Sequence, residues 1–281
     1  MIERFKKERF DLCDLLELVA LLRSPEGCPW DREQTHRSVR REFLEEAYEA
    51  VDTIDLGDCV GLKEELGDVL LQVVFHAQME SEAGSFDFND VADGICKKLI
   101  SRHPHVFGGV SVSGSSEVLK NWDEIKKTEK SQNTALDSIL SVPKALPALY
   151  RAQKVQKRAR DAGFDWPDIS GAADKLCEEA AEFAGALREN NSANAAEELG
   201  DLLFSAVNVA RFLKLDPEQT LNTATQKFIS RFAVVERLAQ ERGIEMKTAG
   251  IKELDKLWDE AKATPGGFTA TPLFKGAIEG V

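Results

Sequence analysis

Two stretches of this chain are close copies of two others, and that repeat limits the fold more than any other feature. Residues 45–49 read EEAYE and residues 178–182 read EEAAE, while residues 64–68 and 197–201 both read EELGD. The offset is 133 in both cases. KLISRH at 98–103 returns as KFISRF at 227–232, and WDEIK at 122–126 returns as WDEAK at 258–262, at offsets of 129 and 136. Four blocks recurring in one order define a tandem of two related domains. The division falls near residue 135, in SQNTALDSILSVPKALP, where a polar start followed by Pro143 and Pro147 reads as a linker. The expected domains are 1–135 and 136–263. Residues 264–281 are rich in Gly, Pro and Thr and read as a flexible tail.

Apolar residues recur at helical spacing, with no sustained alternation and no hairpin dipeptide between β-branched runs. The pattern predicts helices over roughly 5–23, 38–56, 62–82, 89–102 and 116–130, then 144–161, 171–189, 193–213, 218–242 and 251–263. His103–Ser116 reads as a Gly/Ser loop present in the first copy only. The fold class is therefore all-α: two tandem bundles of antiparallel helices joined by short loops.

The acids carry the chemistry. Glu46 and Glu49 share one helix face, and Glu65 and Asp68 share a face of the next helix. The second copy offers Glu179 and Glu182, then Glu198 and Asp201. Glu46 to Glu65 and Glu179 to Glu198 are both 19 residues, so each domain sets two acid pairs opposite one another at the same separation. Acids on helices usually face solvent. Here VLLQVVFHA and LLFSAVNVA follow, apolar nearly all round and so expected to be buried. A polar stripe crosses them: Glu65, Asp68, Gln72 and His76, and again Glu198, Asp201, Ser205 and Asn208. Converging carboxylates repel and resist ionisation unless a cation joins them. An all-oxygen set suits a hard ion, Mg²⁺ or Mn²⁺, and Mg²⁺ is commonly shared with substrate phosphates. The competing reading is a purely structural acid cluster. Gly67 and Gly200, each between a Glu and an Asp, point to close approach by a helix or ligand, because mid-helix glycine is costly.

Lys98 and Arg102, and likewise Lys227 and Arg231, stand four apart on one helix face and suit phosphate oxygens; basic pairs of this kind are also common on solvated helices. Trp122 and Trp258 offer either a flat surface for a base or core packing. A basic run, Arg151, Lys154, Lys157, Arg158 and Arg160, either reaches phosphate or balances the acids. His36 and Glu33 form one ExxH, whereas a di-iron bundle needs two.

Composition narrows the partners. With 36 basic and 49 acidic residues the net charge is −13, which argues against a general nucleic-acid binder. No apolar run approaches the ~20 residues that span a bilayer, and the amphipathic N-terminus does not read as a signal peptide. Five cysteines, odd in number and without a CxxC, suit reduced thiols in a cytoplasm, each expected to pack as a small buried hydrophobe.

At this point the chain resembles the MazG family of nucleoside triphosphate pyrophosphohydrolases in its tandem form. The resemblance runs from about Leu15 to Ala261. It is carried by GCPWDREQTHRSVRREFLEEAYEA (27–50), the two EELGD blocks, VPKALPALYRAQKVQKRARDAGFDW (142–166) and the two WDE blocks. It implies an all-α homodimer with a Mg²⁺-dependent site that converts an NTP or dNTP and water to the monophosphate and pyrophosphate. It implies metal ligands at Glu179, Glu182, Glu198 and Asp201, with nucleotide held by Lys175, Lys227, Arg231 and Trp258. In the first domain the matching acids are Glu46, Glu49, Glu65 and Asp68, followed by Lys98, Arg102 and Trp122. The family often has a lysine four residues before the Glu of ExxD; this chain has Asn194 and Gly61 there. A carboxylate not committed to metal, Glu178 or Glu45, is the expected partner of the attacking water. Clearing nucleotides from the pool is the expected role. The contrasting reading is a helical regulatory or interaction protein with a vestigial nucleotide site.

Overall fold

In the computed structural model the described residues are 5–115 and 134–263, with 117, 118, 121, 122, 125 and 129 between them. They form two compact units, Met1–Lys126 and Lys127–Val281. The expected tail at 264–281 and most of the helix expected over 116–130 lie outside the described residues. All regular structure among the described residues is helical.

The first unit contains α1 (Leu12–Arg23), α2 (Pro29–Glu33), α3 (Arg40–Leu56), α4 (Cys59–Glu82), α5 (Phe88–Arg102) and α6 (Pro104–Phe107). The second contains α7 (Ala135–Leu140), α8 (Ala148–Asp161), α9 (Ile169–Arg188), α10 (Ser192–Phe212), α11 (Pro217–Glu241) and α12 (Ile251–Ala263). The boundaries follow local chemistry. Asp11 with Asp14, and Asp87 with Asp90, form reciprocal capping boxes at the starts of α1 and α5. The Asp11 box starts α1 seven residues later than the spacing suggested. Three short helices, α2, α6 and α7, were expected as loop or linker; each is too short to show a period, and α2 and α6 open on a proline.

Each unit is built on a helix hairpin, α3–α4 and α9–α10. The first turns at Gly57 (φ 68°) and the second at Asn190 (φ 54°), left-handed positions that glycine and asparagine tolerate best. α1 packs on α4, and α8 packs on α10. The first core joins Val19, Val39, Val74, Phe75 and Met79; a second core seals α11 to α12 through Val235, Ala239, Leu257 and Ala261.

Burial is less complete than the sequence pattern implied. Leu66 and Leu70 on α4, and Leu203 and Phe204 on α10, are exposed, because each hairpin is covered by packed helices on one side only. The same openness corrects two other expectations. A Cβ on Gly67 or Gly200 would meet nothing within 4 Å, so among the described residues no helix approaches there, and of the two expected reasons for these glycines only the approach of a ligand is left. Cys13, Cys59, Cys96 and Cys177 are exposed rather than buried, and all five thiols are unpaired. Among the described residues no helix is long and apolar enough to cross a membrane.

Candidate metal and nucleotide site

The hairpin geometry explains why the acids meet. Glu49 and Glu65 each stand eight residues from Gly57, and Glu182 and Glu198 each stand eight from Asn190. Residues equidistant from the turn of a helical hairpin lie at the same height, and i, i+3 partners join them on the facing surface. Glu46, Glu49 and Glu65 thus bring one carboxylate oxygen each within 4.8 Å of the others, and Glu179, Glu182 and Glu198 do the same. Asp68 and Asp201 stand outside these triads. Both still act on them: burial first, then Asp68 and Glu49, pushes the Glu46 carboxyl above its ordinary value. Glu65 is raised by burial, then by Glu49 and Asp68. Glu198 is raised by burial, then by Glu182, Glu179 and Asp201. Burial and the neighbouring acids together oppose ionisation here, a hard dication would offset both, and an oxygen-only donor set fits Mg²⁺ or Mn²⁺.

The two copies differ around this common centre. In the second domain Lys175 ion-pairs with buried Glu179 at 2.6 Å and with Glu178 at 2.9 Å. Those two bonds, Glu178 first, hold the ammonium pKa well above the usual lysine value. The residue 133 positions earlier is Glu42, whose Oε2 is buried without a hydrogen-bond partner. The first domain therefore sets a further acid where the second sets a cation. This difference was readable at the same offset as the repeat and was missed.

A cavity of about 510 Å³ opens beside the second triad, reaching Lys175, Glu179 and Asp201 at one end. Its walls include Phe164, Trp166 and Phe204, with Gln156, Ser205 and Asn208. The polar stripe of α10 thus runs from the acids into this cavity. In the first domain the stripe ends differently: His76 Nδ1 meets His36 Nδ1 at 2.6 Å, and His36 Nε2 meets Glu80 at 2.7 Å. The lone ExxH is resolved by that contact, which ties the α2–α3 loop to α4.

The other expected site residues are more dispersed. Glu45 is paired with Arg41 at 3.0 Å, Glu178 with Lys175, and neither joins a triad. Lys227 is exposed and Arg231 half-buried on α11, and among the described residues neither forms an ion pair with the acids of α9 and α10. Lys98 is exposed and Arg102 half-buried on α5. Trp258 stacks obliquely on Phe228, ring centres 5.2 Å apart, and packs against the α11–α12 core. Trp122 is exposed. Gly61 has a local reason: it sits in the first turn of α4, donates to the Asp58 cap, and a Cβ there would meet that carboxylate at 2.7 Å. Asn194 is half-buried in the first turn of α10, its backbone N–H capped by Asn191.

Two acidic helical hairpins in tandem, one of them opening on an aromatic cavity, define the class of protein. The model of the MazG nucleotide pyrophosphohydrolase domain matches residues 34–107 and again residues 170–235. The nucleoside triphosphate pyrophosphohydrolase of Escherichia coli (strain K12) is 45% identical over 251 residues, covering 88% of this chain and 95% of its own. A protein of Thermotoga maritima named nucleoside triphosphate pyrophosphohydrolase/pyrophosphatase MazG is 43% identical over 249 residues, 89% of this chain and 94% of its own. A nucleoside triphosphate pyrophosphohydrolase of Mycolicibacterium smegmatis is 39% identical over 213 residues, 71% of this chain and 65% of its own. The chain belongs to the MazG nucleotide pyrophosphohydrolase family, in tandem all-α form, as the repeat and its motifs led us to expect.

Proposed function

We propose that this chain hydrolyses nucleoside triphosphates, ribo- or deoxyribo-, to the monophosphate and pyrophosphate in a Mg²⁺-dependent reaction, and so removes nucleotides from the pool. The observation that carries the reading is the carboxylate triad drawn together at the same height of both hairpins. Glu179, Glu182 and Glu198, with Asp201 beside them, are the residues that would hold Mg²⁺ in the second domain. Glu46, Glu49 and Glu65, with Asp68, are their counterparts in the first. When bound, Mg²⁺ supplies positive charge where negative charge develops on the phosphates during in-line attack.

The remaining roles fall to the chain's own side chains. Lys175, which pairs with Glu179 and lines the cavity with it, would hold the nucleotide's phosphates. Lys227 and Arg231 suit the leaving pyrophosphate as a point charge and a fork. Glu178, outside the triad, orients or deprotonates the attacking water. The cysteines suit a reducing cytoplasm. Exposed apolar side chains, among them Leu203, Phe204, Phe228, Ile229 and Phe232, support a homodimer in which a second copy covers them. The first domain, with Glu42 in place of lysine, suits a regulatory or supporting part better than an equal catalytic one.

Product analysis tests the reading. With Mg²⁺ and an NTP the intact chain should release monophosphate and pyrophosphate in equal amounts, and EDTA should abolish turnover. Release of diphosphate with orthophosphate, or turnover that survives EDTA, would overturn it.

A further inference from the structure

Basic side chains gather in a groove on the second domain, although the chain as a whole carries a net charge of −13. The groove, about 420 Å³, lies between α8 and the turn from α10 to α11 and is lined by Lys154, Lys157, Arg160, Arg211 and Lys214, with the Tyr150 ring. Its wall shares no residue with the cavity beside the second triad. Lys154, Lys157 and Arg160 stand three apart on α8, each beside the next. The walls are held by bonds of their own. Gln153 Nε2 donates to the Leu215 carbonyl at 2.8 Å, and the Leu149 and Tyr150 N–H groups donate to Glu218 Oε1 at 3.2 and 3.3 Å.

The arginines are already answered: Arg160 pairs with Asp161 at 2.6 Å and Arg211 with Asp165 at 2.5 Å. The lysines are not. Lys154 has the Tyr150 ring, 4.7 Å away, and among the described residues Lys157 and Lys214 have no hydrogen bond or ion pair. The acid in the wall, Asp216, is engaged as the cap of α11, where it accepts from the Gln219 N–H at 3.0 Å.

Lys214 adds a second observation. Its φ is 58°, the left-handed region where glycine is the usual residue at the end of a helix. A lysine there strains the backbone and places one more cation in the groove. The negative end of α10 favours a cation at that point, which accounts for one lysine and not for the set. Nor does the fold need these charges. Aligned by the GCPW and GFDW blocks, Lys154, Lys157 and Arg160 correspond to Leu18, Leu21 and Ser24 of the first domain. At the EELGD offset Arg211 and Lys214 correspond to Gln78 and Ser81.

We infer that the groove is a second anion site, distinct from the acidic hairpins, and that it takes a short chain of phosphates. A monovalent carboxylate would answer one lysine; a phosphate chain carries enough charge, spread over enough oxygens, to answer all of them. Such a chain comes free or as the tail of a nucleotide. The site does not depend on the hydrolase reading, and its test leaves that reading untouched.

Calorimetric titration of the intact chain with tripolyphosphate, in EDTA and low salt, tests it, since without a divalent cation the acid triads repel phosphate. Wild type should bind with a Kd tighter than about 1 mM, and added NaCl should weaken the binding. Lys157→Ala and Lys214→Gly should each weaken it about three- to tenfold. Lys214→Gly should melt no lower than wild type, because glycine relieves the left-handed backbone, so its lost affinity does not come from misfolding. Lys227→Ala, outside the groove, should bind within about twofold of wild type. ATP titrated under the same conditions separates the sources. ATP binding that the groove variants weaken assigns the site to nucleotide tails, and binding of tripolyphosphate alone assigns it to free phosphate chains. Binding of neither ligand, or binding that Lys227→Ala weakens and the groove variants leave unchanged, would overturn the site.

Discussion

Glu198→Gln should lower pyrophosphate release on the order of a hundredfold or more, whereas Glu65→Gln should leave most of the activity in place. The two residues occupy the same height of equivalent hairpins, and both carboxyls are raised by burial and by neighbouring acids. What differs is their surroundings. Glu198 belongs to a triad that has Lys175 on Glu179 and a cavity alongside. Glu65 belongs to a triad with Glu42 in place of the lysine and Phe75 in place of Asn208. A fifth acid raises repulsion toward a polyanionic substrate. Steady-state rates for both variants, with circular dichroism to confirm folding, check this. A larger loss in Glu65→Gln would reverse the assignment, and equal losses would mean two working sites.

The second large effect concerns folding of the first domain. Arg23 is buried, and its guanidinium makes four hydrogen bonds. Nε and one terminal nitrogen grip the two oxygens of Glu82 at 2.9 and 2.8 Å. The other donates to the carbonyls of Asp31 and Gln34 at 2.6 and 3.2 Å. One side chain thus joins α1 to the end of α4 and to the α2 turn. Arg23→Met preserves much of the volume but takes the donors from two carbonyls and leaves the Glu82 carboxylate only its bond from Gln78. The expected cost is about 2–4 kcal/mol, toward the lower end because Glu82 is more than a third exposed and water can take up part of the loss. Glu82→Gln should cost about 1–2 kcal/mol, since the amide oxygen keeps one bond from Arg23 while the amide nitrogen, a donor, cannot accept the other. Urea denaturation followed through α1–α4 hydrogen exchange measures both. A loss below 1 kcal/mol in Arg23→Met would show that these bonds do not hold the domain together.

The long helices and the meeting of the acids were legible because both depend on short-range spacing. The 19-residue separation of Glu46 and Glu65, spanning a Gly57 turn, suffices to place them opposite one another. What the sequence concealed depends on distant partners. Arg211 reaches Asp165 across 46 residues, and that contact anchors the guanidinium that holds the Asn208 amide. The run VLLQVVFHA reads as buried all round, yet α4 is covered on one side, so Leu70 and the Gly67 face lie open. Apolar spacing reports that a face seeks cover, not whether its own chain supplies it. The surroundings of Trp258 were hidden for a related reason: its ring lies against Phe228, 30 residues earlier.

The claim on which the rest depends is that each repeated triad holds a divalent cation. Mn²⁺ titration of the intact chain, read by electron paramagnetic resonance of the free ion, tests it without reference to any substrate. Wild type should take up two ions per chain, Glu198→Gln and Glu65→Gln one each, and the double variant none in the same concentration range. Undiminished Mn²⁺ uptake by the double variant would show that the hairpin carboxylates are not the ligands.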